Sequence, residues 1–434
     1  MKFYEVNDKI CASWEHLDLP ELASVPPRVD AFLFARDPRT SRAHFLATEE
    51  ALLYQIKEDA GWLSQTVLRT QAAIAKKAHP EPLPAIVNAK LAAGGITCCN
   101  VSHPRWQEIL ADAPETAARK RVHLLALGDV GSQVLVGLRL LGGDCISSIG
   151  TYDLDEKTTA RWAFEANQIL TPGAGPWPRV EVIDDAQLFA CDVFIFCASA
   201  GVPPVDGSRI DVRMAQLEKN VAIIAAYARK ARAANFRGLF CEVSDPVDPL
   251  AQAAWWASNL DADGRFDGLG LLPEQVQGYG LGVMNARASY YAARDARFTR
   301  FLAEGRCFGG HGRELVVADS IEHYDDACAR ALTQLAIDAN QEMRALGFKP
   351  YVAPAYSSAV LPILQTLRGD WHYGSVFLGG SYMGVRNRYT ADGQAHEILP
   401  LPEALMERLY ESEASLRGIG HHLMHMKEGQ RREG

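Results

Sequence analysis

The chain has 434 residues, of which 48% are hydrophobic and 22% are charged, a composition typical of a globular protein of two or three domains. Its net charge of −9 offers no basic surface to polyanions, so we expect neither nucleic acid nor a membrane as partner. No apolar run approaches the roughly 18 residues of a membrane span. Nine scattered cysteines fit free, buried thiols in a reducing compartment, and we therefore expect a cytoplasmic protein.

The first 118 residues predict a mixed α/β segment without any motif that assigns it a role. Within this segment, residues 29–35 have the pattern of a strand, and residues 48–77 have helical periodicity. Residues 108–120 are polar and rich in alanine, which indicates a linker helix or loop.

From Arg121 onward, short apolar runs alternate with helical patterns. The predicted strands cover residues 122–127, 148–153, 180–183, 192–197 and 238–243, and the predicted helices cover residues 132–141, 156–170 and 212–234. Strands that alternate with helices favour a doubly wound parallel sheet. Beyond residue 264 the pattern becomes mixed α/β, with a long predicted helix over residues 326–346.

A glycine turn, LALGDVG at residues 125–131, lies between the first predicted strand and the first predicted helix of this region. Gly128 can let the backbone approach a pyrophosphate, Gly131 can let the helix pack on the strand, and Val130 lies between them. Ala126 replaces the first glycine of the usual dinucleotide fingerprint. Asp153, about 20 residues further on, ends the next predicted strand, where a carboxylate can hold ribose hydroxyls and repel a 2′-phosphate. Together these residues predict an NAD site; a glycine turn for another ligand is the alternative.

Further motifs follow in an order that resembles the lactate/malate dehydrogenase family, from about Arg121 to Gly418. The segments that carry the resemblance are residues 128–131, 152–153, 208–211 with Asn220, 243–248, 282–287 and 309–312. The resemblance implies a Rossmann doubly wound parallel sheet followed by an α+β substrate domain. It also implies NAD as cofactor, a small 2-hydroxy or 2-oxo acid as substrate, and a homo-oligomer.

The resemblance implies roles for individual residues. His311 matches the histidine that exchanges a proton with the substrate oxygen, and an imidazole suits that role because its pKa lies near neutrality. Arg209 matches the mobile-loop arginine that polarises the substrate carbonyl, and Arg287 matches the arginine that binds the substrate carboxylate. The alternatives are a solvated loop residue for His311, a surface arginine for Arg209 and a structural ion pair for Arg287. Further cofactor contacts are expected at Ala198, Asn220 and Ser244.

Three positions depart from the family pattern. Met284 stands where the family has the aspartate that orients the histidine, so we expect His311 to have a lower pKa and a less well fixed tautomer than in the family. Asp245 stands where the family has asparagine, and it could replace the missing carboxylate or bind a cationic group on the substrate. Pro203 stands at the position that separates lactate-type from malate-type members, and because proline offers no charge it disfavours malate.

Lys349 falls near a wall of the substrate pocket by the same resemblance. Its ammonium could pair with an anionic substrate tail or with Asp245, and a solvated lysine after a helix end is the alternative. His421, His422 and His425 are more typical of a solvated or weakly helical end than of a metal site, so we expect no metal.

Four parts of the chain follow from these patterns. We expect an N-terminal α/β extension at residues 1–118, an NAD-binding Rossmann domain at 119–262, an α+β substrate domain at 263–420 and a tail at 421–434. The leading interpretation is an NAD-dependent dehydrogenase that oxidises the CH–OH group of a 2-hydroxy acid. The alternative is an NAD-binding protein with lost or altered catalysis that acts as a sensor or interaction protein.

Overall fold

The structure, a computed structural model, describes residues 1–54, 57–111, 119–201 and 211–430. Within these ranges the strands form two sheets, one of five strands before residue 119 and one of eleven strands after it. No helix in the described ranges combines the length and the apolar character needed to cross a membrane. All nine cysteines lie in these ranges and all are free.

The N-terminal segment is built on a mixed sheet. Its strands are β1 (Lys2–Val6), β2 (Lys9–Ser13), β3 (Ala31–Phe34), β4 (His44–Ala47) and β5 (Ile96–Asn100), in the order β1-β2-β3-β5-β4. Neighbours β2, β3 and β5 run parallel, whereas β1 and β4 pair antiparallel at the two edges. Helices α1 (Gln65–Ala75) and α2 (Ala85–Ala92) pack on one face, and α3 (Trp106–Ala111) packs on the other.

The periodic stretch at residues 48–77 forms several short helices instead of one. Two 3₁₀ turns, Glu50–Tyr54 and Ala60–Leu63, precede α1. Asp59 caps the second turn by accepting the Gly61 N–H, and Ser64 caps α1 by accepting the Val67 N–H. Each cap begins a new helical element. The pattern of apolar residues alone does not indicate where one element ends and the next begins.

The parallel part of the large sheet comprises six strands. They are β6 (Lys120–Leu125), β7 (Ile146–Tyr152), β8 (Arg179–Val182), β9 (Val193–Phe196), β10 (Leu239–Glu242) and β11 (Val276–Gly278). Their order is β8-β7-β6-β9-β10-β11 with every neighbour parallel, which is the strand order 3-2-1-4-5-6 of a Rossmann sheet. The predicted doubly wound fold is therefore confirmed.

Helices cover both faces of this parallel sheet. They are α4 (Asp129–Leu141), α5 (Glu156–Asn167), α6 (Asp211–Ala233) and α7 (Val247–Ser258). Strand β9 is buried at every residue, since Phe194 and Phe196 pack towards α6 and α7 while Ile195 packs towards α4. Such burial on both faces explains why these strands appear in the sequence as continuous apolar runs.

The C-terminal part continues the same sheet with antiparallel strands. They are β12 (Arg306–Gly309), β13 (Leu315–Ala318), β14 (His372–Leu378), β15 (Ser381–Thr390) and β16 (Gly393–His396). Strand β11 pairs with β10 on one side and with β14 on the other, so the parallel and antiparallel parts share one sheet and the sheet continues across the proposed boundary at residue 262. The helices are α8 (Leu281–Ala292), α9 (Phe301–Glu304), α10 (Asp326–Ala345), α11 (Leu361–Arg368) and α12 (Glu403–Gln430).

Candidate active site and cofactor site

The glycine turn lies where β6 ends and α4 begins. Gly128 is the N-cap residue of α4 and provides no side chain to bond the first N–H groups of the helix. A Cβ on Gly128 would meet no atom within 4 Å, whereas a Cβ on Gly131 would lie 1.9 Å from the carbonyl oxygen of Ala126. Open space at one glycine and close helix–strand contact at the other fit a pyrophosphate at this helix terminus.

Ala126 occupies the first fingerprint position with the backbone of a glycine. Its φ is +71°, in the left-handed region, and its N–H donates to the carbonyl of Tyr152 over 2.8 Å. The turn therefore keeps its shape despite the substitution, at a cost in backbone strain.

Asp153 stands directly beside this turn, at the end of β7. Its Oδ2 accepts the N–H of Leu127 at 2.7 Å, and its Oδ1 accepts the N–H of Asp155 at 3.1 Å. Each carboxylate oxygen can still accept a second hydrogen bond, which leaves capacity for ribose hydroxyls. Val130, the remaining predicted turn residue, is half-buried and packs against the core on the α4 side.

Lys349 pairs with the glycine turn and not with Asp245. Its Nζ lies 2.5 Å from Oδ2 of Asp129, the first residue of α4, and both side chains are substantially exposed. The contact with Asp129 raises the pKa of Lys349. The expected pairing of Lys349 with Asp245 is therefore corrected, because the chain after α10 meets α4 only in the tertiary fold.

Hydrogen bonds link the segments that follow β9 and β10, and they involve Asn220, Ser244 and Ala198. Asn220 is fully buried; its Oδ1 accepts the N–H of Ala200 and its Nδ2 donates to the carbonyl of Asp245, each over 2.8 Å. Ser244 Oγ donates to the carbonyl of Ala198, also over 2.8 Å. We expected these residues at the cofactor; in the structure the side chains of Asn220 and Ser244 bond to backbone and hold Asp245 in position.

His311 and Asp245 form a hydrogen-bonded pair at the carboxyl end of β10. Nδ1 of His311 lies 2.9 Å from Oδ1 of Asp245. The side chain of His311 is 16% exposed and that of Asp245 is 71% exposed, so the carboxylate is the accessible member. Nε2 of His311 is buried and has no partner among the described residues. Gly280 packs on the imidazole so closely that a Cβ there would lie 2.8 Å from Cγ of His311.

The pair shifts the titration of both members. Burial disfavours the charged imidazole, but the Asp245 carboxylate outweighs burial and raises the pKa of His311. Partial desolvation by the surrounding groups opposes the charge of Asp245, and the nearby His311 outweighs it and lowers the pKa of that carboxyl. Asp245 thus stands beside the imidazole from another side, as one of the two roles considered for it from the sequence requires, and it offers the carboxylate that Met284 lacks.

Arg287 lies in the same electrostatic environment. Its Nη2 donates to Oδ1 of Asn340 at 2.5 Å and its Nη1 contacts the sulfur of the buried Met284 at 3.5 Å. Burial lowers the pKa of Arg287, and the charge of Asp245 partly offsets that effect. These contacts use two of the five guanidinium N–H groups, so the others can bind a carboxylate.

Asp248, in the segment 243–248, has a positioning role that its sequence motif does not indicate. Asp248 is 4% exposed; its Oδ2 accepts the N–H of His311 at 3.0 Å and its Oδ1 accepts the hydroxyl of Ser375 at 2.6 Å. Burial raises the pKa of Asp248 to about 6. Asp248 therefore fixes the backbone of the loop that presents His311.

Glu242 is a second missed acid, and it lies in the core. It is fully buried on β10, and neither carboxylate oxygen has a hydrogen-bond partner in the described part of the chain. Burial raises the pKa of Glu242 well above its ordinary value and so favours the uncharged form of this side chain. The available signal was an acid inside an apolar strand pattern.

The structure brings together His311, Asp245 and Arg287 at one end of the sheet. The glycine turn and Asp153 lie at the carboxyl ends of β6 and β7 in the same sheet. Pro203 and Arg209 lie outside the described residues.

Comparison with known sequences places these residues in context. No family model matches the chain. It is 28% identical over 205 residues to L-lactate dehydrogenase from Corynebacterium jeikeium, an alignment that covers 46% of this chain and 55% of that protein. The chain thus spans about half the length of the curated relatives it matches.

Solved structures share the fold more extensively. A lactate dehydrogenase from a Medee basin deep-sea metagenome library matches with a TM-score of 0.57 and 19% identity, over 70% of this chain and 99% of that chain. Malate dehydrogenase from Archaeoglobus fulgidus, solved in complex with NADH, matches with a TM-score of 0.53 and 19% identity, over 70% and 99% of the two chains. The chain is therefore similar to lactate and malate dehydrogenases, in sequence over part of its length and in fold over most of it.

Proposed function

We propose that the protein is an NAD-dependent oxidoreductase that interconverts a 2-hydroxy acid and the corresponding 2-oxo acid. The observation that carries this proposal is the His311–Asp245 pair beside Arg287, since it joins an acid/base group to a cation that can bind a carboxylate. The family supports it, because relatives are named lactate dehydrogenases and one malate dehydrogenase was solved with NADH. By the same resemblance we propose a cytoplasmic homo-oligomer.

NAD, when bound, would supply or accept the hydride. Gly128, Val130 and Gly131 would lie along the pyrophosphate, and Asp153 would accept hydrogen bonds from the adenosine ribose. The Asp153 carboxylate would repel a 2′-phosphate, which favours NAD over NADP. Lys349 offsets the negative charge that Asp129 brings to this turn, so we propose that it assists cofactor binding.

His311 would exchange its proton through Nδ1. This nitrogen bonds the accessible Asp245 carboxylate, whereas Nε2 is buried without a described partner. In the reducing direction, the imidazolium would donate the Nδ1 proton to the substrate oxygen, on the side of the ring where Asp245 lies. In the oxidising direction, the neutral imidazole would accept that proton from the substrate hydroxyl. Asp245 therefore both raises the imidazole pKa and carries the proton path.

Arg287 would bind the substrate carboxylate, and Arg209 would polarise the carbonyl group. Because Pro203 supplies no charge, we propose that malate is not the substrate. The accessible Asp245 carboxylate also suits a nitrogen on the substrate, so imines formed from 2-oxo acids belong among the substrates to be tested.

The test is NADH oxidation with a panel of 2-oxo acids, each assayed with and without a primary amine. At least one member should be reduced. The Arg287→Met variant should lose about 30-fold or more in kcat/KM, because a lost charge-paired hydrogen bond costs about 2–5 kcal/mol. The Arg232→Met variant is the matched control, since Arg232 also pairs a carboxylate, that of Asp267, in a half-buried setting.

One observation favours the alternative, an NAD-binding protein that does not turn over substrate. Nε2 of His311 is buried and Nδ1 is engaged with Asp245, so neither ring nitrogen is directly open to a substrate. Tight NADH binding with no turnover on any panel member, unchanged by Arg287→Met, would establish that alternative and refute the dehydrogenase.

A further inference from the structure

The N-terminal segment contains a cavity of about 240 Å³ that is separate from the residues of the candidate active site. We propose that this cavity is a second binding site, for a small organic anion with an apolar body. The proposal does not depend on the dehydrogenase activity. It gives the N-terminal segment, which carries no recognised motif, a chemical role.

The interior of the cavity is apolar and aromatic. Its buried apolar lining side chains are Phe32, Phe34, Phe45, Leu52 and Trp62, together with Cys98; Ser41 and Glu58 are the buried polar lining residues. A cavity of about 150 Å³ can already hold a benzene ring. The volume here therefore leaves room for an aromatic ring or a branched alkyl group with a short chain.

Three cations line the mouth of the cavity, and two of them pair with acids. Arg36 and Lys57 are exposed and Arg417 is half-buried. Lys57 Nζ lies 3.5 Å from Oδ2 of Asp59, and Arg417 Nη2 lies 2.5 Å from Oε1 of Glu413. The acid that lines the cavity, Glu58, is buried and lies 2.6 Å from the guanidinium of Arg42, so its charge is compensated inside the protein. An apolar interior below a cationic mouth selects an amphiphilic anion over a neutral or cationic molecule.

A buried donor supplies independent support for a ligand. The indole N–H of Trp62 has no hydrogen-bond partner among the described residues, although Trp62 is only 2% exposed. Buried donors in native proteins are almost always paired, because an unpaired one retains its desolvation penalty. Since Trp62 lines the cavity, an acceptor atom on a bound molecule would provide the missing partner.

The cavity also joins the N-terminal segment to the C-terminal part of the chain. Arg417 lies on α12, and its Nη1 donates to the carbonyl of Gly379, between β14 and β15, over 2.6 Å. One helical turn earlier, Ser412 donates to the carbonyl of Glu314, in the loop that carries His311, also over 2.6 Å. A ligand at Arg417 would therefore contact the helix that supports the His311 loop.

The experiment is calorimetric titration of the full chain, saturated with NADH, with 3-phenylpropionate and with its uncharged analogue 3-phenylpropanol. The acid should bind with a stoichiometry of one, and the alcohol should bind about tenfold more weakly or not at all. The double variant Arg36→Met/Lys57→Met should weaken binding of the acid about tenfold, since an exposed ion pair accounts for up to about fivefold. Lys90→Met, an exposed lysine on α2 outside the lining, should leave binding unchanged.

Two further variants separate this cavity from the candidate active site. Thr40→Trp changes an exposed lining residue at the mouth and should abolish binding by filling the entrance. Arg287→Met should retain binding if the ligand occupies the cavity. Absence of saturable binding, equal affinity for acid and alcohol, or loss in Arg287→Met with retention in Thr40→Trp would each refute the proposal and leave the proposed dehydrogenase activity untouched.

Discussion

Two carboxylate–cation pairs in different parts of the molecule have similar geometry and opposite exposure. Arg42 Nε lies 2.6 Å from Glu58 Oε1, and the two side chains are 0% and 2% exposed. His311 Nδ1 lies 2.9 Å from Asp245 Oδ1, and the exposures are 16% and 71%. One pair is enclosed by the N-terminal segment, and the other opens at the carboxyl end of β10.

Burial decides what each pair can do. The Arg42 guanidinium is stacked over the Trp62 ring and donates to Gln394, so it is fixed inside the protein and cannot exchange protons with a substrate. Asp245 is accessible, and its partner His311 can change charge near neutral pH. A buried ion pair therefore joins parts of the structure, whereas a half-open pair can perform acid/base chemistry.

The largest expected effect is on turnover, at the open pair. Asp245→Asn should lower kcat about 10³-fold to 10⁴-fold, because an amide cannot stabilise the imidazolium or fix its tautomer. The free energy of unfolding should change little, since the carboxylate is exposed. Steady-state kinetics and urea denaturation measure the two effects. Asp185→Asn, which breaks an exposed pair with Lys230, is the control; near-normal turnover in Asp245→Asn would make Asp245 a bystander.

At the enclosed pair the largest effect should be on stability. Arg42→Met should lower the free energy of unfolding by about 3–5 kcal/mol, because it leaves Glu58 buried without its cation. The double variant Arg42→Met/Glu58→Leu should recover most of this loss, since the unpaired charge is then absent. Chemical denaturation tests both. If the double variant were as unstable as the single one, packing by Arg42 and not charge pairing would be its contribution.

Glu242 extends the comparison to a buried acid with no described cation. Its folded pKa is raised, so its stabilising contribution is complete below the ordinary value near 4.5 and is lost as pH rises through the folded pKa. Over that window the free energy of unfolding should fall by up to about 1.4 kcal/mol per pH unit. Glu242→Gln should remove this slope, while Glu181→Gln, on the exposed edge strand β8, should keep it. An unchanged slope in Glu242→Gln would show that the acid is ionised in the folded protein.

The smallest expected effect is on the titration of His311. Its folded pKa is raised, so the contribution of the charged imidazole is complete below about 6.5 and is lost as pH rises through the folded value. Asp245→Asn should move the midpoint to lower pH, by an amount limited by solvent around the exposed carboxylate. NMR titration of the imidazole measures it without requiring turnover. Asp248, whose pKa burial raises to about 6, should add a second inflection that both proteins share.

Residues that belong to local motifs were predicted from the sequence. The alternation of apolar strands and amphipathic helices predicted β6 to β10 and α4 to α6, because each pattern reports burial of a single element. His311, Asp245 and Arg287 were identified from short motifs, and the fold brings them to one site. The roles of Asp248 and Glu242 were missed, since hydrogen bonding and desolvation depend on elements distant in the chain.

Lys349 and His311 both have charged partners that lie far away in the chain, so the local sequence does not indicate them. The partner of Lys349 is Asp129, on the first turn of α4, and local sequence around either residue does not report that contact. Met284 offers His311 no carboxylate, and the contact of Asp245 with Nδ1 is made by the loop after β10, which is distant from His311 in the chain. Sequence determined the Rossmann sheet and the glycine turn and indicated the candidate site residues, because these follow from residue type and short-range patterns. Only the tertiary structure decided which charges face each other and which are shielded from water, since pairing and burial arise where distant segments pack together.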